Sequence, residues 1–114
     1  MDRQCTLKKN SDFRRLYSSG KSAVNAYVVV YCRRNREKTN RLGYTVSTKL
    51  GHAVTRNRVR RRLREIYRLN SHRLKPGYDI VVVARSRCVG AEYKKLEAGF
   101  LKACEKLGLL EAQG

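Results

Sequence analysis

Phe13, Leu16 and Tyr17 recur at i, i+3 and i+4 behind Asn10-Ser11-Asp12. That spacing predicts a short helix of about two turns, with Asn10 or Ser11 as N-cap, Asp12 in the first turn and Gly20 at the end. Alternation then replaces helical spacing. Tyr27 to Cys32 is rich in Val and Tyr and predicts a strand, with Tyr27, Val29 and Tyr31 on one face and Val28, Val30 and Cys32 on the other. Leu42 to Ser47 predicts another, with Leu42, Tyr44 and Val46 on one face. Its other face, Gly43, Thr45 and Ser47, is small and polar and reads as lying outside the core. The charged segment Arg33 to Arg41 between these strands reads as the mobile tip of an antiparallel hairpin. Lys21 to Val24 leaves room for one more short strand.

A long helix follows over His52 to Asn70. At 100° per residue, Val59, Leu63, Ile66 and Tyr67 fall in a stripe about 100° wide. Asn57, Arg61, Arg64 and Arg68 lie on the far side, and Arg56, Arg60, Arg58 and Arg62 flank the stripe. Pro76-Gly77 marks a turn. Ile80 to Ala84 is continuously apolar, as in a central strand buried on both faces. Glu92 to Leu107 predicts a last helix with Tyr93, Leu96, Phe100, Cys104 and Leu107 as its apolar face. The order αβββαβα predicts an α+β two-layer sandwich, a mixed sheet of about four strands with three helices, in a single domain over 1–114.

Composition narrows the class. Hydrophobic residues are 41 % of the 114, enough for a core of its own. No apolar run approaches the roughly 18 residues of a membrane span, and Met1 to Asn10 lacks the apolar stretch of a secretory signal. Cys5, Cys32, Cys88 and Cys104 are too scattered for a zinc pair, which predicts reduced thiols in a cytoplasmic protein. His52 and His72 stand alone and carboxylates are sparse, so neither catalytic residues nor metal ligands are predicted on the protein itself.

The charge carries the functional signal. Lys plus Arg total 27 against 9 Asp plus Glu, a formal net charge of +18. Between Lys49 and Lys75 there are ten basic residues and one acid, Glu65, and Arg56 to Arg64 alone holds six Arg. Arginine favours bidentate phosphate contacts and stacking on bases, so a nucleic acid is the expected partner. From Val89 onward four Lys balance four Glu, which reads as ordinary surface pairing on the last helix.

The segment Lys49-Leu50-Gly51-His52-Ala53-Val54-Thr55-Arg56-Asn57-Arg58-Val59-Arg60-Arg61 resembles the signature of the bacterial ribonuclease P protein component, in which an Arg-Asn-Arg triplet opens an Arg-rich helix. Leu7-Lys8-Lys9-Asn10-Ser11-Asp12-Phe13 is similar to that family's start, and Gly77-Tyr78-Asp79-Ile80-Val81 to Arg85 to its late strand. The resemblance runs from about Leu7 to Leu107. It departs at one step, where the family often has two Lys and this chain has Thr48 and Lys49.

The resemblance implies a ribosomal-protein-S5-domain-2-like fold with a left-handed crossover, against the usual right-handed rule. It implies a subunit of an endoribonuclease whose RNA is the catalyst, assisting removal of the 5′ leader of precursor tRNA. Its partners are then the ribonuclease P RNA and precursor tRNA, with no membrane and no protein partner required, and Mg2+ bound mainly by RNA and substrate. Carried over by position, the RNA contacts are Lys49, Arg56, Asn57, Arg58, Arg60, Arg61, Arg64 and Arg68. In this setting Asn57 serves as a hydrogen-bond donor to RNA or orders a hydrated metal. The leader cleft is Phe13, Tyr17, Val29 and Tyr31, though Phe13 fits core packing equally well. Aromatic rings suit a leader of varying sequence, since bases stack on them with little sequence preference. A structural ribosomal or general RNA-binding protein shares this size and charge but predicts no aromatic-lined groove. A DNA-reading helix ranks lower, because no helix-turn-helix partner is visible.

Overall fold

The chain order in the computed structural model, which describes residues 5–111, is β1 (Cys5–Thr6), α1 (Asn10–Ser19), β2 (Lys21–Val24), β3 (Val28–Arg34), β4 (Arg41–Thr45), α2 (Ala53–Asn70), β5 (Tyr78–Ala84) and α3 (Tyr93–Lys106). Short 3-10 turns lie at Thr48–Leu50, Ser71–Arg73 and Ser86–Cys88. Four principal strands and three helices thus follow the predicted order, and the two-residue β1 adds an edge. α1 begins one residue earlier than its sequence signal. Lys9 occupies the N-cap without a side-chain cap, and Asn10 and Ser11 sit inside the first turn.

The sheet order is β1-β4-β5-β3-β2. β5 pairs antiparallel with β3 and parallel with β4, so β4, α2 and β5 form a crossover unit. The hairpin expectation is therefore corrected: β3 and β4 run antiparallel to each other, but β5 lies between them. The physical reason is burial. Ile80, Val81 and Val82 are at most 1 % exposed, and an edge position would leave this apolar run half solvated. The loop between β3 and β4 is tied at both ends. Asn35 Nδ2 donates to Thr39 O at 3.1 Å, and Asn40 Oδ1 accepts from Tyr78 N at 2.8 Å. Gly77 takes φ +89°, which a side chain would resist, and its carbonyl accepts from Asn35 N at 3.0 Å.

Register sorts the sheet into two faces. Val30, Val82 and Tyr44 are aligned, as are Cys32, Ile80 and Leu42, and both rows join the main core beneath α2 and α3. Val59, Leu63, Ile66 and Tyr67 from α2 meet Leu96, Phe100 and Cys104 from α3 there. The stripe read from the sequence is the buried stripe of α2. On α3, the lysines form no ion pair with Glu92, Glu97 or Glu105 among the described residues. Glu97 instead accepts from Asn70 Nδ2 at 2.8 Å, joining the two helices.

Cys32, Cys88 and Cys104 are free and buried, and the side chain of Cys5 lies outside the described set. Burial, then the neighbouring Cys32, pushes the Cys104 thiol up to about 12, and burial pushes Cys88 up to about 11 despite Arg62. Below the ordinary value of 9.0 both states hold these protons. Above it the unfolded chain releases them while the folded chain keeps them, so stability falls as pH rises through that window. Chemical denaturation at a series of pH values checks this. Cys104→Ala should flatten the alkaline slope, and an unchanged slope would contradict it.

Candidate nucleic-acid interface

Because α2 buries only a narrow stripe, its remaining surface is free to carry charge. Arg58 and Arg61 are exposed. The other cations have local work. Arg56 Nε donates to Gly51 O at 3.2 Å, holding the turn that enters the helix. Arg60 donates to Oδ1 of exposed Asn57 at 3.1 Å. The Arg64 guanidinium lies over the Tyr44 ring, 5.9 Å from its centroid. Arg62, on the stripe's edge, donates to Ala91 O at 2.8 Å and ties α2 to the start of α3.

Arg68 stands apart from the rest. Twelve residues separate it from Arg56, about 18 Å along the helix. It is paired with Glu65, its Nε 3.2 Å from Oε2, and this hydrogen bond holds the Glu65 carboxyl below its ordinary value. Lys49 is exposed in the 3-10 turn before the helix, its backbone N–H donating to Ser47 Oγ at 3.1 Å. Lys49 and the Arg56-Asn57-Arg58 triplet therefore lie where β4 hands over to α2, and Arg68 lies at the other end.

The second face of the sheet carries α1. Leu16 is 1 % exposed and packs with Leu7 and Val81, while Phe13, Tyr31 and Val83 join them partly buried. Phe13 sits directly on Gly43, where a Cβ would come within 2.6 Å of its ring. The polar face of β4 is thus not wholly outside the core: Gly43 is buried because Phe13 needs its missing side chain. Tyr17 stays 41 % exposed. Its ring meets Tyr31 edge-on at 5.0 Å and Phe13 at 6.5 Å, and its hydroxyl is 2.8 Å from Thr45 Oγ1.

α1 lies over the row Tyr31, Val81 and Gly43. The next row, Val24, Val29, Val83 and Thr45 in register, is only partly covered: Val83 touches the α1 cluster and Thr45 meets the Tyr17 hydroxyl, while Val24 and Val29 extend beyond them. Val24 is 52 % exposed, and the other three are half-buried. Phe13, Tyr17, Val29 and Tyr31 are thereby gathered on one face. Val24, Val83, Thr45 and Gly43 complete it and were missed from the sequence. Tyr27 departs from its expected face: it precedes β3, packs toward the main core and lies against Gly99. The open row and the entrance to α2 share one end of the sheet, since Thr45 ends β4 five residues before the Leu50-Gly51 step.

A family model described as Ribonuclease P matches residues 1–108. The chain belongs to the ribonuclease P protein family. It is 45 % identical to the ribonuclease P protein component of Alkaliphilus oremlandii, over 93 % of each chain. It is 50 % identical to that of Clostridioides difficile, over 80 % of this chain and 81 % of that one. A solved structure of the Staphylococcus aureus RNase P protein superposes with a TM-score of 0.86 at 31 % identity, covering 96 % of this chain and all of that one. As a ribonuclease P protein component, it is a subunit of a ribonucleoprotein endoribonuclease, associates with the ribonuclease P RNA and acts in 5′ processing of tRNA. No helix among the described residues is long and apolar enough to cross a membrane.

Proposed function

We propose that the two surfaces divide the work of this subunit. The outward face of α2, with Lys49, Arg56, Asn57, Arg58, Arg60, Arg61 and Arg64, takes phosphates of the catalytic RNA, and Arg68 extends that track. The shelf of Phe13, Tyr17, Val29 and Tyr31, widened by Val24 and Val83, takes the single-stranded 5′ leader of precursor tRNA. The observation that carries this reading is the half-open row beside half-exposed Tyr17, at the same end of the sheet as the Arg-Asn-Arg triplet.

The chemistry follows from the side chains. Tyr17 and Val29 offer an apolar and aromatic platform, and each base stacked on such a ring contributes about 1–3 kcal/mol with little sequence preference. The arginines replace condensed cations on the RNA backbone, which makes assembly strongly salt-dependent. Mg2+ fits the RNA better than this chain. Among the described residues no group of three His, Cys, Asp or Glu side chains is placed to hold a metal ion. In this reading the ion sits on RNA and substrate phosphates, and the protein acts by bringing those phosphates together. The reading places the particle in the cytoplasm, where tRNA precursors are processed.

Cleavage of a precursor tRNA by a matched bacterial ribonuclease P RNA at low Mg2+ tests it. Strong cleavage at the correct position only when the protein is present supports the reading. Equal cleavage without it, from folded protein and matched RNA, contradicts it.

A further inference from the structure

The end of the sheet opposite the half-open row holds a cavity of about 380 Å³. Its walls are strand ends. Lys21 opens β2, Cys32, Arg33 and Arg34 close β3, Tyr78 opens β5, and Leu107 follows α3. Register sets Lys21 opposite Cys32 and Arg34 opposite Tyr78. The Arg34 guanidinium lies over the Tyr78 ring, 5.8 Å from its centroid, and Cys32 is 3 % exposed. With Ser19 at the end of α1, the lining is three cations, one hydroxyl, one aromatic ring and two apolar contacts.

Among the described residues these cations have no counter-charge. Asp79 lies in register between Arg33 and Arg41, yet its Oδ1 and Oδ2 accept from Arg41 at 2.8 and 2.7 Å, and Oδ1 also from Asn35 at 3.0 Å. No carboxylate among the described residues comes within 4 Å of Lys21, Arg33 or Arg34. Like charges sharing one rim repel, and a bound anion relieves that repulsion. The Tyr78 ring beside them suits a planar ring system. The volume lies in the range of small-molecule sites.

We propose that this cavity binds a single nucleotide, its phosphates held by Lys21, Arg33 and Arg34 and its base against Tyr78. The cavity lies at the other end of β5 from Val83, five residues and about 17 Å from Tyr78, and the shelf residue Tyr31, which adjoins Cys32 in sequence, faces the other side of the sheet. The nucleotide is either free or an unpaired residue of an RNA, and both present the same phosphate and base.

Amide NMR titration of the full chain with ADP, at moderate ionic strength, tests this. Saturable shifts are expected at Lys21, Cys32, Arg34, Tyr78 and Leu107. Arg34→Ala, at an exposed strand end, should weaken ADP about tenfold, as should Tyr78→Ala, which should affect inorganic pyrophosphate less. Lys94→Ala should change nothing. Displacement of ADP by a single-stranded oligoribonucleotide identifies RNA as the source, and retention of ADP identifies the free nucleotide. Shifts that do not saturate at these amides, or equal ADP affinity in wild type and Arg34→Ala, would overturn the proposal.

Discussion

A chain carrying Arg58→Glu and Arg61→Glu is expected to fold normally and to bind ribonuclease P RNA at least about a hundredfold more weakly. Both side chains are exposed on α2. They lie outside the buried stripe, and surface substitutions of this kind change stability by about 0.5 kcal/mol or less. Their effect on RNA is larger, because each charge-assisted contact to phosphate is worth about 1.5–3 kcal/mol. Losing two such contacts weakens binding about a hundredfold or more, before the repulsion of the new carboxylates is counted. The slope of log affinity against log salt should also fall by about 2. Filter binding to the RNA across a salt series checks both numbers, with Lys102→Ala as the control expected to bind like wild type. Retained affinity and slope in the double variant would remove α2 from the RNA interface.

Gly43→Val separates leader recognition from RNA assembly. A Cβ at this position meets Phe13 Cζ at 2.6 Å and Cε1 at 2.7 Å, and Leu7 Cδ1 at 3.4 Å. Rotation of the ring can accommodate a single methyl, but the branched side chain forces Phe13, and α1 with it, off the sheet. Overpacking of this kind costs about 1–3 kcal/mol, visible as a lowered Tm. Tyr17 then loses its place against Tyr31 and Thr45. The expected result is a folded, RNA-binding subunit whose holoenzyme no longer prefers precursor over mature tRNA. Wild-type preference in a verified Gly43→Val protein would mean that α1 does not shape the leader site.

The long-range pairing of this fold was the least legible part of the sequence. Helical periodicity placed Val59, Leu63, Ile66 and Tyr67 on one stripe, and that stripe is buried, because spacing along a helix is a local property. The apolar run ending at Ala84 was legible as a central strand for the same reason. Its neighbours were not. Which strands flank β5 depends on the β4–α2–β5 crossover, and nothing in Tyr27 to Ser47 distinguishes a hairpin from two strands with a third between them.

Part of the proposed leader shelf was hidden by the same limit. Tyr17 and Tyr31 carry a visible aromatic signal, whereas Val24, Val83 and Gly43 acquire their roles only from register. Val83 two residues beyond Val81 was the available clue, masked by reading the whole run as buried on both faces. Arg68 matches the basic track in type and helix, and its ion pair with Glu65 three residues earlier is a local feature that spacing permits.

The most direct test of the account is the affinity of holoenzyme for precursor tRNA and for mature tRNA, measured with wild type, Tyr17→Ala and Tyr31→Ala. The leader shelf predicts that each substitution weakens the precursor by about 1–3 kcal/mol and leaves mature tRNA within error of wild type. Equal weakening of both ligands, or no weakening of either, would contradict it.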